Sequence, residues 1–576
     1  MNVLIVLLLA IAALAVGYGW YARGIDRRVI QPDNKKATPA KMYMDGVDFT
    51  PANRNVLFGY QFKSIAALGP IVGPIVAVRW GWLPALLWIL LGTFFIGWVQ
   101  DYSSIIIGVR EEGQTFGALS YRLVSPRARG ILLVFLYCYL LLIMGAFGKI
   151  VGYDLMTAAT VPLGVLLAIG FGLLAGQMTY KWKQDIILTT VVTVVGAFIG
   201  IWLGTLPAVS GIFAGLNSAL GANGSKVFWS VVVLILCYFG AVLPIWRWAQ
   251  PINYVAFWIV FLGILGGFIG LIIWHPGIPA DFPAYTNWNG QVGTLPGLGW
   301  LWPVLFVTIA CGAISGWHSL VSSSGTARQL EKEGDALFVG GGAMFLEMFL
   351  ATLALLTAVI GVGASAGMGW AKYVEMVSAG KNAGVFAVGL SQFLSYIGVP
   401  TSFGLPYGSV FLTLQALTIM YLVVRFMRIA SAEFLGDKVP VMNDVHVGSV
   451  VALILSGILI WTGFWERIWV LFGGANQLMA ALALLLVSIW LISKGKSYTW
   501  TFVPFIFMFV TTIAALILTA FNSFKAVDFA KGAAAAIGNI IAGGLGVILV
   551  VAALILAWDA IQAVQKYLAE ARKAKA

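Results

Sequence analysis

The sequence predicts an all-α polytopic membrane protein with about 15 transmembrane helices, on the evidence of its composition and its apolar runs. Of its 576 residues, 61% are hydrophobic and 10% are charged, and the mean hydropathy is +0.95. Apolar runs of roughly 18 residues or more, enough to cross a bilayer as a helix, recur from end to end. A membrane β-barrel would alternate apolar and polar residues, whereas stretches such as 227–243 are continuously apolar.

The apolar runs place the predicted spans along the whole chain. They lie near residues 3–21, 58–79, 84–108, 131–158, 161–179, 185–207, 227–248, 252–274, 299–325, 337–363, 385–424, 446–464, 468–492, 499–521 and 534–562. The segment 385–424 is long enough to divide, at 398–408, into a re-entrant piece and a full span. Residues 1–21 could also be a cleaved signal peptide, but basic residues follow the apolar run rather than precede it, which favours a retained helix.

The second predicted span contains two Gly-Pro pairs, Gly69-Pro70 and Gly73-Pro74. Proline removes a backbone donor and glycine frees the chain to turn, so we expect residues 67–75 to unwind or kink. A simple proline kink is the alternative. A break at membrane depth requires protein or a wet cavity to satisfy the freed peptide groups, so unwinding would mark a binding site.

The ninth predicted span is unusually polar, with serines and glycines throughout residues 312–325 and a histidine at His318. The charge pattern predicts that this span and the Gly-Pro span cross the bilayer in opposite directions. Two oppositely directed, interrupted helices are typical of inverted-repeat transporters, in which they meet near the midplane. We therefore expect a substrate carboxylate to bind the amides around residues 69–73 and the hydroxyls of Ser315, Ser319 and Ser322.

Ionisable residues inside spans are costly and are candidates for proton coupling. We select Asp101, Lys149, His318 and Glu347. Asp101 could instead reach the membrane interface, Lys149 could pair with Asp154 or extend to the surface, and His318 could be a hydrogen-bonded packing residue. Asn476 and Gln477 open an apolar helix after a Gly pair and are expected to cap that helix or to help pack it, with lining a path as the alternative.

Lys and Arg concentrate in alternate loops, which predicts an N-terminus outside and a C-terminus in the cytoplasm. The net charge of +12 then follows from topology and contact with anionic lipid, and no nucleic-acid partner is expected. The Pro- and Gly-rich loop 275–298 has no Lys or Arg and is predicted to be an external cap.

Several classes of function lack their sequence signals. The three cysteines have no metal-ligand spacing, and neither GxxxxGK[ST] nor HExxH occurs. We therefore expect no cofactor, no metal, no ATP-driven transport and no enzyme activity.

Three long motifs resemble the bacterial carbon starvation protein A family: Asp45–Ala77, Ala310–Leu330 and Phe472–Leu485. The resemblance implies an inner-membrane uptake transporter for peptides or pyruvate, induced when preferred carbon runs out. It also implies the fold of the amino acid, polyamine and organocation transporters, with two inverted five-helix repeats. The chain departs from the family at Tyr60 and Gln61, where members usually show a His pair, at Leu68, where they show Gly, and at 110–117, where their loop is more basic.

On this basis the chain divides into an N-terminal anchor with a basic loop (1–55), a first repeat (56–210), connecting helices (211–298), a second repeat (299–492) and C-terminal helices (493–576). The predicted function is import of short peptides or pyruvate by proton symport with alternating access, with sodium as the other possible coupling ion. A channel and a membrane nutrient sensor are the alternatives. A channel cannot concentrate a neutral peptide, and the sequence offers no sizeable soluble domain for signalling.

Overall fold

The all-helical prediction is confirmed by the computed structural model, which describes residues 1–293, 295–364, 368–461, 465–531 and 533–573. Within these ranges, 12 helices are long and apolar enough to cross a membrane. A further pair, Arg54–Ile65 and Gly69–Trp80, passes the same test together and is bent by 46° at its break. The described ranges contain isolated β-bridges but no strand.

The helices of the N-terminal half end before the loop 275–298. They are α1 (Val3–Ile30), α2 (Arg54–Ile65), α3 (Gly69–Ala77), α4 (Trp82–Arg110), α5 (Pro126–Leu155), α6 (Pro162–Lys181), α7 (Ile186–Thr205), α8 (Pro207–Val242) and α9 (Ala249–Trp274). Two shorter helices, Pro39–Met42 and Phe116–Leu123, lie in the connections.

The helices of the C-terminal half begin with an interrupted segment. They are α10 (301–308), α11 (316–326), α12 (Glu333–Val362), α13 (Trp370–Ser378), α14 (Asn382–Ser395), α15 (Thr401–Leu435), α16 (Val445–Trp461), α17 (Trp465–Ser493), α18 (Thr499–Lys525) and α19 (Ala533–Lys573). The apolar windows of α15 and α17 are completely buried, whereas only 22% of the window in α1 is buried. The core therefore lies around α15 and α17, with α1 at the periphery.

Among the described residues, 12 helices and one bent pair pass the length and composition test for a span, against about 15 predicted, and helix is found at each predicted position. The two predicted spans that do not pass are 299–325, which is divided into α10 and α11, and 446–464, where α16 has 17 residues, at the short end of what crosses a bilayer. The predicted division of 385–424 is present, because the chain turns at Gly398 (φ 86°) and Pro400 before α15 begins. Helix α8 also extends the predicted span 227–248 back to Pro207, with a kink at Gly221 (φ 70°).

The Gly-Pro stretch unwinds less than predicted. Only residues 66–68 leave the helical conformation, and α3 begins at Gly69. Pro70 stands in the first turn of α3, where a backbone amide has no intrahelical acceptor, so proline is tolerated there. Pro74 lies inside the helix and lacks the amide that would bond to the Pro70 carbonyl. The prediction of unwinding was therefore wrong for Gly69 onward.

The two interrupted segments run in opposite directions and touch at their breaks. Next to the start of α2, the Ala52 amide donates to the carbonyl of Gln329, just beyond α11 (3.0 Å). At the other end, beyond α3, Arg79 Nε donates to the Gly290 carbonyl in the loop 275–298, which therefore packs over that end as a cap (3.1 Å). Between these ends, a Cβ added at Gly73 would lie 2.5 Å from the carbonyl oxygen of Thr308. This contact requires glycine.

Candidate functional site

The breaks border a buried cluster of ionisable side chains, which we call the carboxylate–histidine cluster: Asp101, His318 and Glu347. His318 Nδ1 lies 3.1 Å from Asp101 Oδ1, and His318 Nε2 lies 3.3 Å from Glu347 Oε2. All three side chains have 0% exposure. They come from α4, α11 and α12, so the structure brings together three of the four residues selected for proton coupling.

The cluster holds more potential negative charge than positive charge. The contact between His318 and Glu347 lacks hydrogen-bond alignment, and Asp101 Oδ2 and both Glu347 oxygens have no hydrogen-bond partner among the described residues. With the imidazole protonated and both carboxylates ionised, the cluster would carry a net charge of −1 in a fully buried site. Unbalanced buried charge is costly. One further proton, on either carboxyl group, makes the cluster neutral.

His318 is positioned by the first turn of α11, whose free amides are capped from α17. Asn476 Oδ1 accepts hydrogen bonds from the Trp317 amide (3.2 Å), the Ser315 hydroxyl (3.1 Å) and the Tyr139 hydroxyl (2.5 Å). Gln477 Nε2 donates to the Phe306 carbonyl of α10 at 2.7 Å. Asn476 therefore caps the start of α11, and Gln477 binds a carbonyl in the last turn of α10. Both residues cap helices other than their own. The expectation that they open their own helix was wrong, because both lie inside α17.

The predicted substrate-binding serines are fully buried and are held by amide side chains of other helices. Gln100 Nε2 lies 2.5 Å from both the Ser315 carbonyl and the Ser319 hydroxyl. Gln61 Nε2 donates to the Ser322 hydroxyl at 2.9 Å. These contacts fasten α11 to α4 and α2. The role of the serines in substrate binding stays a prediction.

The predicted Gly-Pro residues are packed against the other break rather than against open space. Gly69, together with Thr308 and Ala310, lines a cavity of about 40 Å³. Such a volume holds water, whereas pockets for organic ligands are about 300 Å³ or larger. Pro70 lies against Gly312, on which an added Cβ would be 3.4 Å from the Pro70 Cα. The site is therefore closed around its centre.

Peptide groups at both breaks remain free to bind a ligand. The amides of Ala67 and Leu68 at the first break, and those of Ala310 and Cys311 at the second, form no hydrogen bond with any described part of the chain. The amide of Gly69, the first residue of α3, likewise forms none, and contact of a carboxylate with the stretch 69–73 stays a prediction.

Lys149 lies apart from the carboxylate–histidine cluster. It ends the regular part of α5 and is half-buried, and it interacts electrostatically with the exposed Asp154. The predicted neighbour is therefore present, and a coupling role for Lys149 stays a prediction.

Sequence reasoning missed Gln100, Tyr139 and a fully buried lysine, Lys63, and it noted Gln61 only as a departure from the family. The signal available in the chain itself was a polar residue in an otherwise apolar run. Glutamine and tyrosine have many possible partners in such a run, so the signal did not identify the helices they join.

Ion pairs close one end of the broken helices. Asp48 contacts Arg425 at 3.1 Å and Arg328 at 3.8 Å, and Arg110 contacts Glu333 at 2.5 Å. Next to them, Glu111 accepts hydrogen bonds from Arg122 and from Trp490 Nε1 and lies 3.4 Å from Lys494 Nζ. Burial raises the pKa of Glu111, but the hydrogen bonds from Arg122 and Trp490 outweigh it and hold this pKa below its usual value.

Replacing Glu111 by Gln is expected to destabilise the protein at neutral pH, by about 1.5–3 kcal/mol for hydrogen bonds to a charged group. Because the folded-state pKa is lowered, the contribution is fully present above the usual glutamate pKa and is lost as the pH falls through the folded value. Thermal unfolding in detergent across a pH series should therefore show a difference between wild type and Glu111→Gln that shrinks in acid. A difference that grows in acid would contradict this.

Comparison with known proteins gives consistent matches. The family model of "Carbon starvation protein CstA" matches residues 2–515. The "Peptide transporter CstA" of Escherichia coli (strain K12) is 27% identical, with 92% of this chain and 82% of that protein covered. The "Pyruvate/proton symporter BtsT" of the same organism is 28% identical, covering 89% and 81%. The crystal structure of MhsT in complex with L-phenylalanine aligns with 88% of this chain and 99% of its own, at 12% identity and a TM-score of 0.48.

The family match extends over most of the chain and includes all three motifs on which the resemblance was based. The relatives from Escherichia coli and Bacillus subtilis are covered over 81–89% of their length, so the match is not confined to one region. The chain belongs to the carbon starvation protein CstA family.

Proposed function

We propose that the protein is a secondary transporter that imports a small carboxylate-bearing nutrient together with a proton. The carboxylate–histidine cluster carries this proposal. It is fully buried, it joins α4, α11 and α12, and it reaches neutrality only with a proton beyond the one on the imidazole. Such a group is suited to coupling, because it must take up a proton to be neutral inside the protein and can release that proton when water reaches it.

Short peptides and pyruvate are the proposed substrates. The named relatives act on these two classes, and both classes carry a carboxylate. The free amides of Ala67, Leu68, Ala310 and Cys311 offer donors for that group, and Ala310 also lines the small cavity. Gly69, Pro70, Gly73 and Pro74 then act by shaping α3 and its contact with the second break.

Transport requires the closed centre to open. The cavity of about 40 Å³ is too small for a peptide, and Asp48, ahead of α2, forms an ion pair with Arg328, just beyond α11. Alternating access would separate the two segments on one side at a time. The proposed setting is the bacterial inner membrane, with the N-terminus outside and the C-terminus in the cytoplasm. The division into repeats at 56–210 and 299–492 stays a prediction.

The test is uptake by the purified protein in liposomes. Labelled pyruvate and labelled dipeptides are supplied under an inward proton gradient, an inward sodium gradient or no gradient. We expect one substrate class to accumulate above its external concentration with the proton gradient alone, and protein-free liposomes to show none. Entry that stops at equal concentrations in every condition would indicate a channel. Accumulation driven only by sodium would overturn proton coupling.

A further inference from the structure

A second ionisable group lies in the core, and the proposed coupling does not use it: Lys63, in the last turn of α2. Its side chain is completely buried. Nζ donates to the Leu414 carbonyl at 3.0 Å and to the Thr418 hydroxyl at 2.7 Å, both on α15. None of the ion pairs among the described residues includes Lys63. A buried ammonium without a carboxylate is unusual, because its charge must be balanced by dipoles alone.

The two oxygens that face Lys63 are arranged as cation ligands. The Thr418 hydroxyl donates its own hydrogen to the Leu414 carbonyl at 2.6 Å, so its lone pairs are left for Lys63. Carbonyl and hydroxyl oxygens are also the ligands that proteins use for hard cations such as Na⁺. Because both are neutral dipoles, they suit a single positive charge.

The end of α2 strengthens the preference for a cation. The last carbonyls of a helix have no intrahelical partner and carry partial negative charge. Lys63 stands in that last turn, and the chain leaves the helix at residues 66–68, where the Ala66 and Ala67 carbonyls form no hydrogen bond with a described residue. The end of α2 therefore carries partial negative charge within one turn of the Lys63 backbone.

We propose that the Lys63 ammonium is a tethered cation that fills a monovalent-cation site between α2 and α15. While Lys63 is present, a free ion such as Na⁺ cannot enter. Removing the side chain beyond Cβ leaves the oxygen ligands and the dipole field in place, and the vacated site accepts Na⁺ with water as further ligands. The inference concerns binding and does not depend on the proposed transport activity.

The test is equilibrium binding of radiolabelled Na⁺ to the purified protein, with choline as the replacement cation because it is too large for the site. We expect no stoichiometric binding to the wild type and a gain of about one Na⁺ per chain in Lys63→Ala. Lys63→Met, which fills the space with an apolar chain, should show no gain. Adding Thr418→Val to Lys63→Ala should remove the gain, since valine keeps the shape and lacks the oxygen. Lys372→Ala, at an exposed lysine, is the matched control.

Three results would overturn the proposal. The first is that folded Lys63→Ala and Lys63→Ser bind no Na⁺. Another is equal binding by Lys63→Met and Lys63→Ala. The third is stoichiometric Na⁺ binding by the wild type that Thr418→Val removes. If the alanine and serine variants fold poorly, the folded fraction by size exclusion is compared in NaCl and choline chloride. Recovery in NaCl alone supports the site, and equally poor folding in both salts counts against it.

Discussion

Replacing Glu347 by Gln is expected to abolish proton-driven accumulation while leaving the protein folded. Glutamine keeps the size of the side chain but cannot exchange a proton, and the remaining Asp101–His318 pair is neutral when both groups are ionised. A gradient of one pH unit is worth about 1.4 kcal/mol per proton, so a one-proton symporter supports about tenfold accumulation. In liposomes, the variant should lose this tenfold excess and reach only equal concentrations.

Two controls separate loss of coupling from loss of protein. Glu375→Gln changes an exposed glutamate paired with Lys372 on α13, and it should accumulate substrate as the wild type does. Exchange of labelled for unlabelled substrate, present at equal concentration on both sides, needs no net proton movement and should persist in Glu347→Gln. Accumulation by Glu347→Gln at the wild-type level would remove Glu347 from the coupling role.

The sequence identified the members of the carboxylate–histidine cluster one at a time, and only the fold shows that they meet. Each is an ionisable residue in an apolar run, a local and visible signal. Their contact is not local, since Asp101 and His318 are 217 positions apart. The prediction that the two interrupted helices run in opposite directions and touch is confirmed by the contacts of Ala52 with Gln329 and of Gly73 with Thr308.

The predictions that were wrong failed because the deciding helix boundary or contact is not visible in the local sequence. Pro70 was expected to unwind the chain, but proline is destabilising inside a helix and compatible with its first turn, and the sequence does not indicate where that turn begins. Asn476 was expected to cap the helix that contains it, whereas it caps α11 across a tertiary contact. Lys63 was not selected from the sequence, and only its burial and its oxygen ligands on α15 indicate a cation site.

Gly73→Ala is expected to force the two interrupted segments apart, to destabilise the protein and to abolish uptake. The new Cβ would lie 2.5 Å from the Thr308 carbonyl oxygen and 3.1 Å from the Ile309 Cα. Both obstacles are backbone atoms, so no side chain can rotate away and the two segments must separate. Overpacking of a core costs about 1–3 kcal/mol, and we expect the upper end of this range together with loss of uptake. Thermal unfolding in detergent and uptake in liposomes measure the two effects.

The matched control is Gly170→Ala in α6, where an added Cβ meets no atom within 4 Å. Alanine is the better helix former by about 1 kcal/mol, so this variant should be as stable as the wild type or slightly more stable, with unchanged uptake. If Gly73→Ala behaved like Gly170→Ala, the segments would have room to spare at their crossing. The close contact would then not be the reason for glycine at position 73. A large loss confined to Gly73→Ala would instead show that transport depends on how closely the two broken helices approach.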